Sequence, residues 1–416
     1  MNHKHFVLWC LVLSAALRLL WIAIARVDQI YDWQWYYGRA ASVAAGQGFQ
    51  ERGIPTAYWP AGYPLFLSAV FRLVGSHVLV GKLLNIGEWL GASFCTYKFA
   101  QKVFGLELAA RLAVFLMSFH PNSIAWTSFL TADMFLGFLI ILGSALFVYA
   151  EGRWTYLVLD GLVWGLAVLT KPQCFAIPAI LILVFMREKK KSMFATALVL
   201  YLLMAACVVP WMMRNKRVLG KAVLADNGGI VLLIGNNPNA TGRNFWDERV
   251  YPFLGDLGVD EKHLHDDKEV ARDARARQVA INYIEHHPVR VVELWPKKFV
   301  ALYLSDVEAF YYTLDVASNF AQRDRPVYLG LRILGELYYI GIIVLFFASL
   351  PFVFRSARLD YFVGILILLY FTAIYLVFMG DPRYHLSLMP FIAMYAGIGA
   401  GCLLGEYGTS QPFPHS

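Results

Sequence analysis

Apolar positions in this chain fall in long, nearly unbroken runs, separated by short polar turns. The alternating or one-faced patterns of soluble strands and helices are not its main feature. Phe6 to Ala25 gives about 20 mostly apolar positions after a short basic start. That is too long for a signal-peptide core and lacks a small-residue cleavage site, so it predicts an uncleaved first span with the amino terminus inside. Further spans are predicted at about 77–97, 108–124, 131–150, 155–170, 174–186, 193–212, 327–350, 359–379 and 388–405. The expected fold is an all-α integral membrane protein of about ten transmembrane helices.

The polar interruptions differ in kind. Residues 27–75 form a first outer loop: helical character over 32–46 ends at "GQG", and Pro55, Pro60 and Pro64 break the stretch before "LFLSAVFRLVG". Trp33, Trp35, Tyr36, Tyr37, Tyr58, Trp59 and Tyr63 suit headgroup depth, so two short interfacial helices are expected here. Residues 213–326 read as one larger extracytoplasmic loop with a charged helical stretch over 260–287. Within it "VRVVELWPKKFVALYL" (289–304) is expected to lie at the interface or as a shallow helix. The chain thus divides into a transmembrane module with the first loop (1–212), an extracytoplasmic region (213–326) and carboxy-terminal transmembrane helices (327–416).

Composition agrees: 59% of residues are hydrophobic and 16% charged, which excludes an ordinary soluble domain. The net charge of +7 sits in short clusters, such as Lys98 with Lys102 and Arg111, Arg153, and the "REKKK" run at 187–191. These fall in predicted inner turns, a positive-inside pattern and not a nucleic-acid face. By the same parity the turns at "FHPNS" (119–123), "TKPQ" (170–173) and "GDPRYHLSLMP" (380–390) lie outside, beside the first loop. Arg18, inside the first span, costs about 2.5 to 3.5 kcal/mol at the bilayer centre, so it must face the bundle, snorkel or meet an acid. Cys10, Cys95, Cys174, Cys207 and Cys402 lie in or beside apolar runs without metal or disulfide spacing and read as packing residues.

The chain has no P-loop and no GxGxxG after a strand. Outside the cytoplasmic membrane, activated groups are carried on lipid. A transferase using such a donor needs a carboxylate to take the acceptor's proton, cations for the departing phosphate and an apolar groove for the tail. Asp32 is the candidate base, four residues before Tyr36 and on its helical face. Asp28 is four residues further back, on that face if the helix reaches it. Either acid alternatively caps the interfacial helix. Asp133 in "TSFLTADMF" is a second acid candidate, with a cap as its plainer role. For phosphate and donor the candidates are Lys171, Lys297, Lys298 and Arg383, with Tyr36, Tyr63 and His385, which lies one turn from Asp381. Lysines and arginines at these boundaries also snorkel. "HLHDD" (263–267) has metal-ligand residue types but reads as a solvated loop face, and no metal or cofactor is expected. Asn239-Ala-Thr241 fits a glycosylation sequon, a weak signal.

Taken in order, Asp32 with Tyr36-Tyr37, "AAGQGF", "PTAYWPAGYPLFLSAVFRLVG", "TADMFLGFL", "GLVWGLAVLTKP", "GNNPNATG" and "DPRYHLSLMPF" resemble the GT-C membrane glycosyltransferases. The resemblance covers most of the chain. It is strongest to bacterial relatives of protein mannosyltransferases and of the lipid A aminoarabinose transferase. It implies an inverting transferase using a polyprenyl-phosphate sugar and an acceptor on lipid A, a surface glycan or a protein, working on the outer side of the inner membrane. The family's catalytic acid matches Asp32 and not Asp28; Lys171 and Arg383 match its basic positions, and an acid is common where Asp133 stands. Those relatives usually carry an acid after the first one, where this chain has Trp33. Where the aminoarabinose enzyme commonly has an acid and a lysine, it has Tyr58, Trp59 and Pro60, so the motif assigns no donor sugar. A transporter of a polyprenyl-linked sugar is the rival reading, but no paired interrupted helices in two halves are visible.

Overall fold

The computed structural model describes residues 3–151, 153–187, 189–244, 250–257, 266, 268–356 and 358–407. The first span is α1 (His3–Ile24), and the first loop holds α2 (Tyr31–Ala44) and α3 (Gly62–Val74). Next come α4 (Val78–Phe104), α5 (Glu107–Ser118), α6 (Pro121–Trp126), α7 (Ala132–Ala150), α8 (Trp154–Thr170), α9 (Ile177–Phe185) and α10 (Lys190–Leu219). The long loop contributes α11 (Gly228–Gly235), α12 (Glu269–His286), α13 (Pro288–Tyr303), α14 (Glu308–Tyr311) and α15 (Phe320–Arg323). The chain then returns through α16 (Arg325–Arg355), α17 (Val363–Val377), α18 (Pro382–His385) and α19 (Met389–Leu403). Among the described residues the one sheet is a two-stranded hairpin, β1 (Gln50–Glu51) with β2 (Ile54–Pro55), in the proline-broken part of the first loop.

Among the described residues six helices are long and apolar enough to cross a membrane, spanning 4–24, 132–150, 192–219, 325–355, 359–377 and 382–403. Shorter apolar helices occupy 62–74, 154–170 and 172–185. The chain is a multi-pass membrane protein. Helix α4, at 27 residues about 40 Å long, carries Lys82, Glu88, Lys98 and Lys102 along its otherwise apolar length. Two expected single spans are broken. The run predicted over 108–124 ends at Ser118 and restarts as α6, because Pro121 cannot continue a helix but is accommodated at its first turn. The run predicted from 174 opens as a 3₁₀ turn, Pro172–Ala176, before α9.

The last helix is the most central, with 83% of its apolar window buried against 17% for α10, which faces lipid. It packs on α16, α5 and α4. Gly397 and Gly399 lie against the backbone carbonyls of Ala109 and Leu345, an approach that only small residues permit and that drives helix association in lipid. Arg18 solves its burial by facing the bundle. Its guanidinium bonds Ser14 Oγ at 2.6 Å, Ser118 O at 3.0 Å and Ser123 Oγ at 2.8 Å, above the Trp89 ring, and pairs with no acid among the described residues.

The contacts define two ends of the bundle. At one, Lys102 pairs with Glu151, Tyr149 bonds Lys98 O, and Tyr407 bonds Ala109 N. At the other the first loop meets the long loop: Glu269 accepts from Thr56 Oγ1 at 2.6 Å and Ala57 N at 2.9 Å, and Asp226 N donates to Ala57 O at 2.8 Å. Tyr58, Ile230, Leu233, Ile234, Leu254 and Ala276 form a small apolar core between the two loops. Helix α13 lies in the long loop, packed on α17, α18 and α12, with Val289, Val292, Phe299 and Leu304 exposed.

Candidate functional site

Four chain segments end at the same place. Ile30 enters α2 extended (φ −128°, ψ 160°), and Tyr31 then adopts φ +47°, a conformation rare for a bulky residue and costing about 1–3 kcal/mol. That turn puts Asp32 in the first turn of α2, whose N-cap, Ile30, offers no side-chain cap. Thr131 caps α7, accepting from Asp133 N at 3.2 Å, and so fixes Asp133 one residue inside. Lys171 is the first residue after α8. Asp381 caps α18, accepting from Arg383 N at 3.0 Å, and Pro382 fills its first position.

Their side chains form one chain of charges. Arg383 Nη1 donates to Asp32 Oδ2 at 3.0 Å, and Arg383 Nε lies 3.2 Å from Asp133 Oδ2. Lys171 Nζ bonds Asp133 Oδ1 at 2.6 Å, and Thr131 Oγ1 donates to Asp133 Oδ2 at 3.1 Å. Asp133 is 5% exposed and Asp32 23%, so the second carboxylate is spent on its partners while the first can be reached. Lys171 sits over the Tyr384 ring at 4.5 Å, and that ring stacks on Tyr375 at 4.7 Å. Aromatic rings wall the other side. Tyr36 packs edge-on against Tyr63, Trp59 against Trp35, and Trp33 stacks on Phe129 at 4.2 Å. Burial, reinforced by Asp32, pushes the Tyr36 phenol well up and keeps it a neutral donor.

Of the residues singled out from sequence, Asp32, Asp133, Lys171 and Arg383 are thus in direct contact, with Tyr36 and Tyr63 behind them. Asp28 is separate: α2 starts at Tyr31, so Asp28 shares no helical face with Asp32 and is exposed. Tyr63 donates to Asn85 Oδ1 at 3.2 Å. Lys298 points inward, donating to Asn236 Oδ1 at 3.1 Å and Val377 O at 3.2 Å. Lys297 instead lines an open cleft of about 350 Å³ with Thr241, Arg243, Pro296 and Val300. Arg243 pairs with Gly380 as a parallel bridge, and Gly380 N donates to Gly242 O at 3.0 Å, so this cleft borders the turn that carries Arg383. His385 is fully buried beneath that turn, 3.0 Å from Asp306. Of "HLHDD", Asp266 pairs with Arg272 at 2.8 Å, and the other four residues lie outside the described residues. Among the described residues no group of three His, Cys, Asp or Glu side chains is arranged so that it could hold a metal ion. The cysteines described are all free.

Glu308 is the acid that sequence reading passed over. Its Oε2 is buried without a hydrogen-bond partner. Burial, then the Asp381 charge, pushes its carboxyl well above the carboxylate range, against the opposite pull of Arg383. It follows an amphipathic helix as Asp32 follows the first span, and the same search for acids at apolar boundaries would have found it.

A family model described as dolichyl-phosphate-mannose-protein mannosyltransferase matches residues 59–213. A search of curated protein sequences gives no match. The Archaeoglobus fulgidus oligosaccharyltransferase in its apo form superposes with TM-score 0.55 at 15% identity, over 97% of this chain and 51% of that one. AglB of the same organism, in complex with an inhibitory peptide and a dolichol-phosphate, gives 0.53 at 15%, over 99% and 53%. ArnT from Cupriavidus metallidurans bound to undecaprenyl phosphate gives 0.45 at 13%, over 96% and 81%. The chain spans about half the length of the archaeal structures it matches. Its fold is that of the archaeal oligosaccharyltransferase structures.

Proposed function

We propose that this protein is an inverting glycosyltransferase that moves a sugar from a polyprenyl-phosphate donor to an acceptor hydroxyl on lipid, surface glycan or protein. The observation that carries the reading is the Asp32–Arg383–Asp133–Lys171 chain, in which an accessible carboxylate is held by one cation and linked through Asp133 to a second. The fold and the family match over 59–213 support it.

In the reaction Asp32 takes the proton of the acceptor hydroxyl as its oxygen attacks the anomeric carbon. The bond from that carbon to the donor phosphate oxygen breaks, and its electron pair stays on the phosphate. Arg383 has N–H groups left beyond those spent on Asp32 and Asp133, and with Lys171 it meets the charge that develops there. Lys297 and Arg243 hold the phosphate at the lip of the site. The isoprenoid tail runs along the exposed apolar residues of α13. The opposite end of the bundle carries Lys98, Lys102, Arg111 and Arg153, and the positive-inside bias supports reading that end as cytoplasmic and the site as lying on the outer face of the inner membrane.

The test uses the purified protein in detergent, a panel of undecaprenyl-phosphate sugars and a crude membrane acceptor, with release of undecaprenyl phosphate as readout. Release should require acceptor, and Asp32→Asn should lower it about 100-fold or more without loss of fold. Near-native release by Asp32→Asn refutes the assignment. Movement of labelled donor across liposomes without consumption makes the protein a transporter instead.

A further inference from the structure

Beneath the charged chain lies a second ionic group that the reaction does not touch. Asp306 sits between His120 and His385, and all three are at most 1% exposed. His120 Nε2 is 2.6 Å from Asp306 Oδ2, and His385 Nε2 is 3.0 Å from Oδ1. Asn122 also donates to Oδ1, while its own carbonyl accepts from Ala309 N at 3.0 Å.

The partners assign the protons. His120 Nδ1 accepts from Ser123 N at 3.2 Å, so its proton is on Nε2 and the ring is neutral. His385 Nδ1 lies 2.6 Å from Leu302 O, which can only accept, so this nitrogen carries a proton. Its Nε2 faces a carboxylate that also only accepts, so it carries one too. His385 is therefore an imidazolium, and its charge balances Asp306 in a site without water-facing atoms. Desolvation alone would raise the Asp306 carboxyl, but the charges and bonds of His120 and His385 outweigh it and hold the group below the usual range.

Such a group is a poor way to gain stability, since an apolar set of equal volume is often as stable or more so. Its two close ion pairs, with the Asn122 hydrogen bonds to Asp306 and Ala309, fix geometry. Asp306 lies two residues before Glu308, His385 two residues after Arg383, and Asn122 ties the start of α14 to the same carboxylate. We propose that the His120–Asp306–His385 clasp positions Arg383 against Asp32, which makes Asp306 and His385 positioning residues for the transfer. This rests on the glycosyltransferase reading above.

The test is a cycle read in the donor-release assay beside Asp32→Asn. Asp306→Asn should cost about 100-fold in turnover with the native Arg383, the size of penalty expected from a misplacement of about 1 Å. It should cost under about threefold when Arg383→Lys is already present, because both act through one guanidinium. An equal penalty in both backgrounds overturns the proposal. A paired variant, Asp306→Leu with His385→Phe, should melt near the native temperature yet remain about 100-fold slow; recovery of turnover together with stability makes the clasp structural and overturns it as well. Where neither variant folds, ring-¹⁵N spectra of the native protein, assigned with His385→Asn, decide: two protonated nitrogens on His385 are required, and a neutral ring overturns the proposal. The Asp32→Asn arm reads independently, so native turnover there sinks the glycosyltransferase reading while the spectrum still judges the clasp.

Discussion

Arg383 Nη1 lies 3.0 Å from Asp32 Oδ2 across 351 residues of sequence, and its Nε lies 3.2 Å from Asp133. One rigid fork thus holds the proposed base in place and still presents N–H groups to a leaving phosphate. Arg383→Gln should lower turnover about 100- to 1000-fold, the size of loss seen when one donor to a developing oxyanion is removed. Arg383→Lys should fall between that variant and native, because a lone ammonium cannot bridge both acids. Steady-state release of lipid phosphate checks this, and native kcat in Arg383→Gln contradicts it.

The same contacts bear on metal dependence. Asp133 is bonded by Lys171 at 2.6 Å and lies against Arg383, while Asp32 is held by Arg383. A divalent ion bridging these acids would have to displace both cations from a largely buried site. Treatment with EDTA is expected to leave turnover within about twofold, as judged against the charge cost of that exchange. A tenfold loss that added Mg²⁺ or Mn²⁺ reverses contradicts the account.

Two adjacent lysines separate binding from folding. Lys297 lines the cleft beside Arg243, whereas Lys298 is buried on Asn236 and Val377. Lys297→Ala should raise KM for the donor several-fold with kcat unchanged, the pattern of a lost uniform contact. Lys298→Ala removes the donor to buried Asn236 Oδ1, while Val377 O keeps its bond from Asn236 Nδ2, and should cost about 1–3 kcal/mol of stability. Thermal melting and donor titration of both variants check the contrast; equal KM effects erase it.

Helix positions were legible because apolar runs of span length have few alternatives in lipid. Residues 31–44, 62–74 and 288–303 are helical where interfacial helices were expected. The breaks at Ser118 and Pro172 were harder to read, since a proline inside an apolar run signals either a kink or a new start. Asp32, Asp133, Lys171 and Arg383 could be listed because each is a charge at an apolar boundary. That they touch depends on how four helix ends pack, which no local pattern encodes. The Asp306 clasp was hidden for the same reason, its three members lying in three separate turns.

The contact between the two loops should depend on pH. Glu269 is 3% exposed and holds Thr56 and Ala57. Burial raises its carboxyl from 4.5 to about 7, although the Thr56 and Ala57 bonds favour the charged form. The folded state therefore keeps this proton to higher pH than the unfolded chain does. Its contribution is complete below about pH 4.5 and is lost as pH rises through about 7, with a limit of about 3 kcal/mol. Hydrogen exchange at residues 54–58 and 269–276 should accordingly be slower, after correction for intrinsic rates, at pH 5 than at pH 8. Glu269→Gln, which still offers a carbonyl to Ala57 N and an amide to Thr56 Oγ1, should flatten that dependence. Equal protection of the native contact at both pH values would mean that the carboxyl ionises without loosening the loops, and a Gln variant that keeps the native slope would assign the dependence to another group, such as Asp226, an acid at the same loop contact that burial also raises.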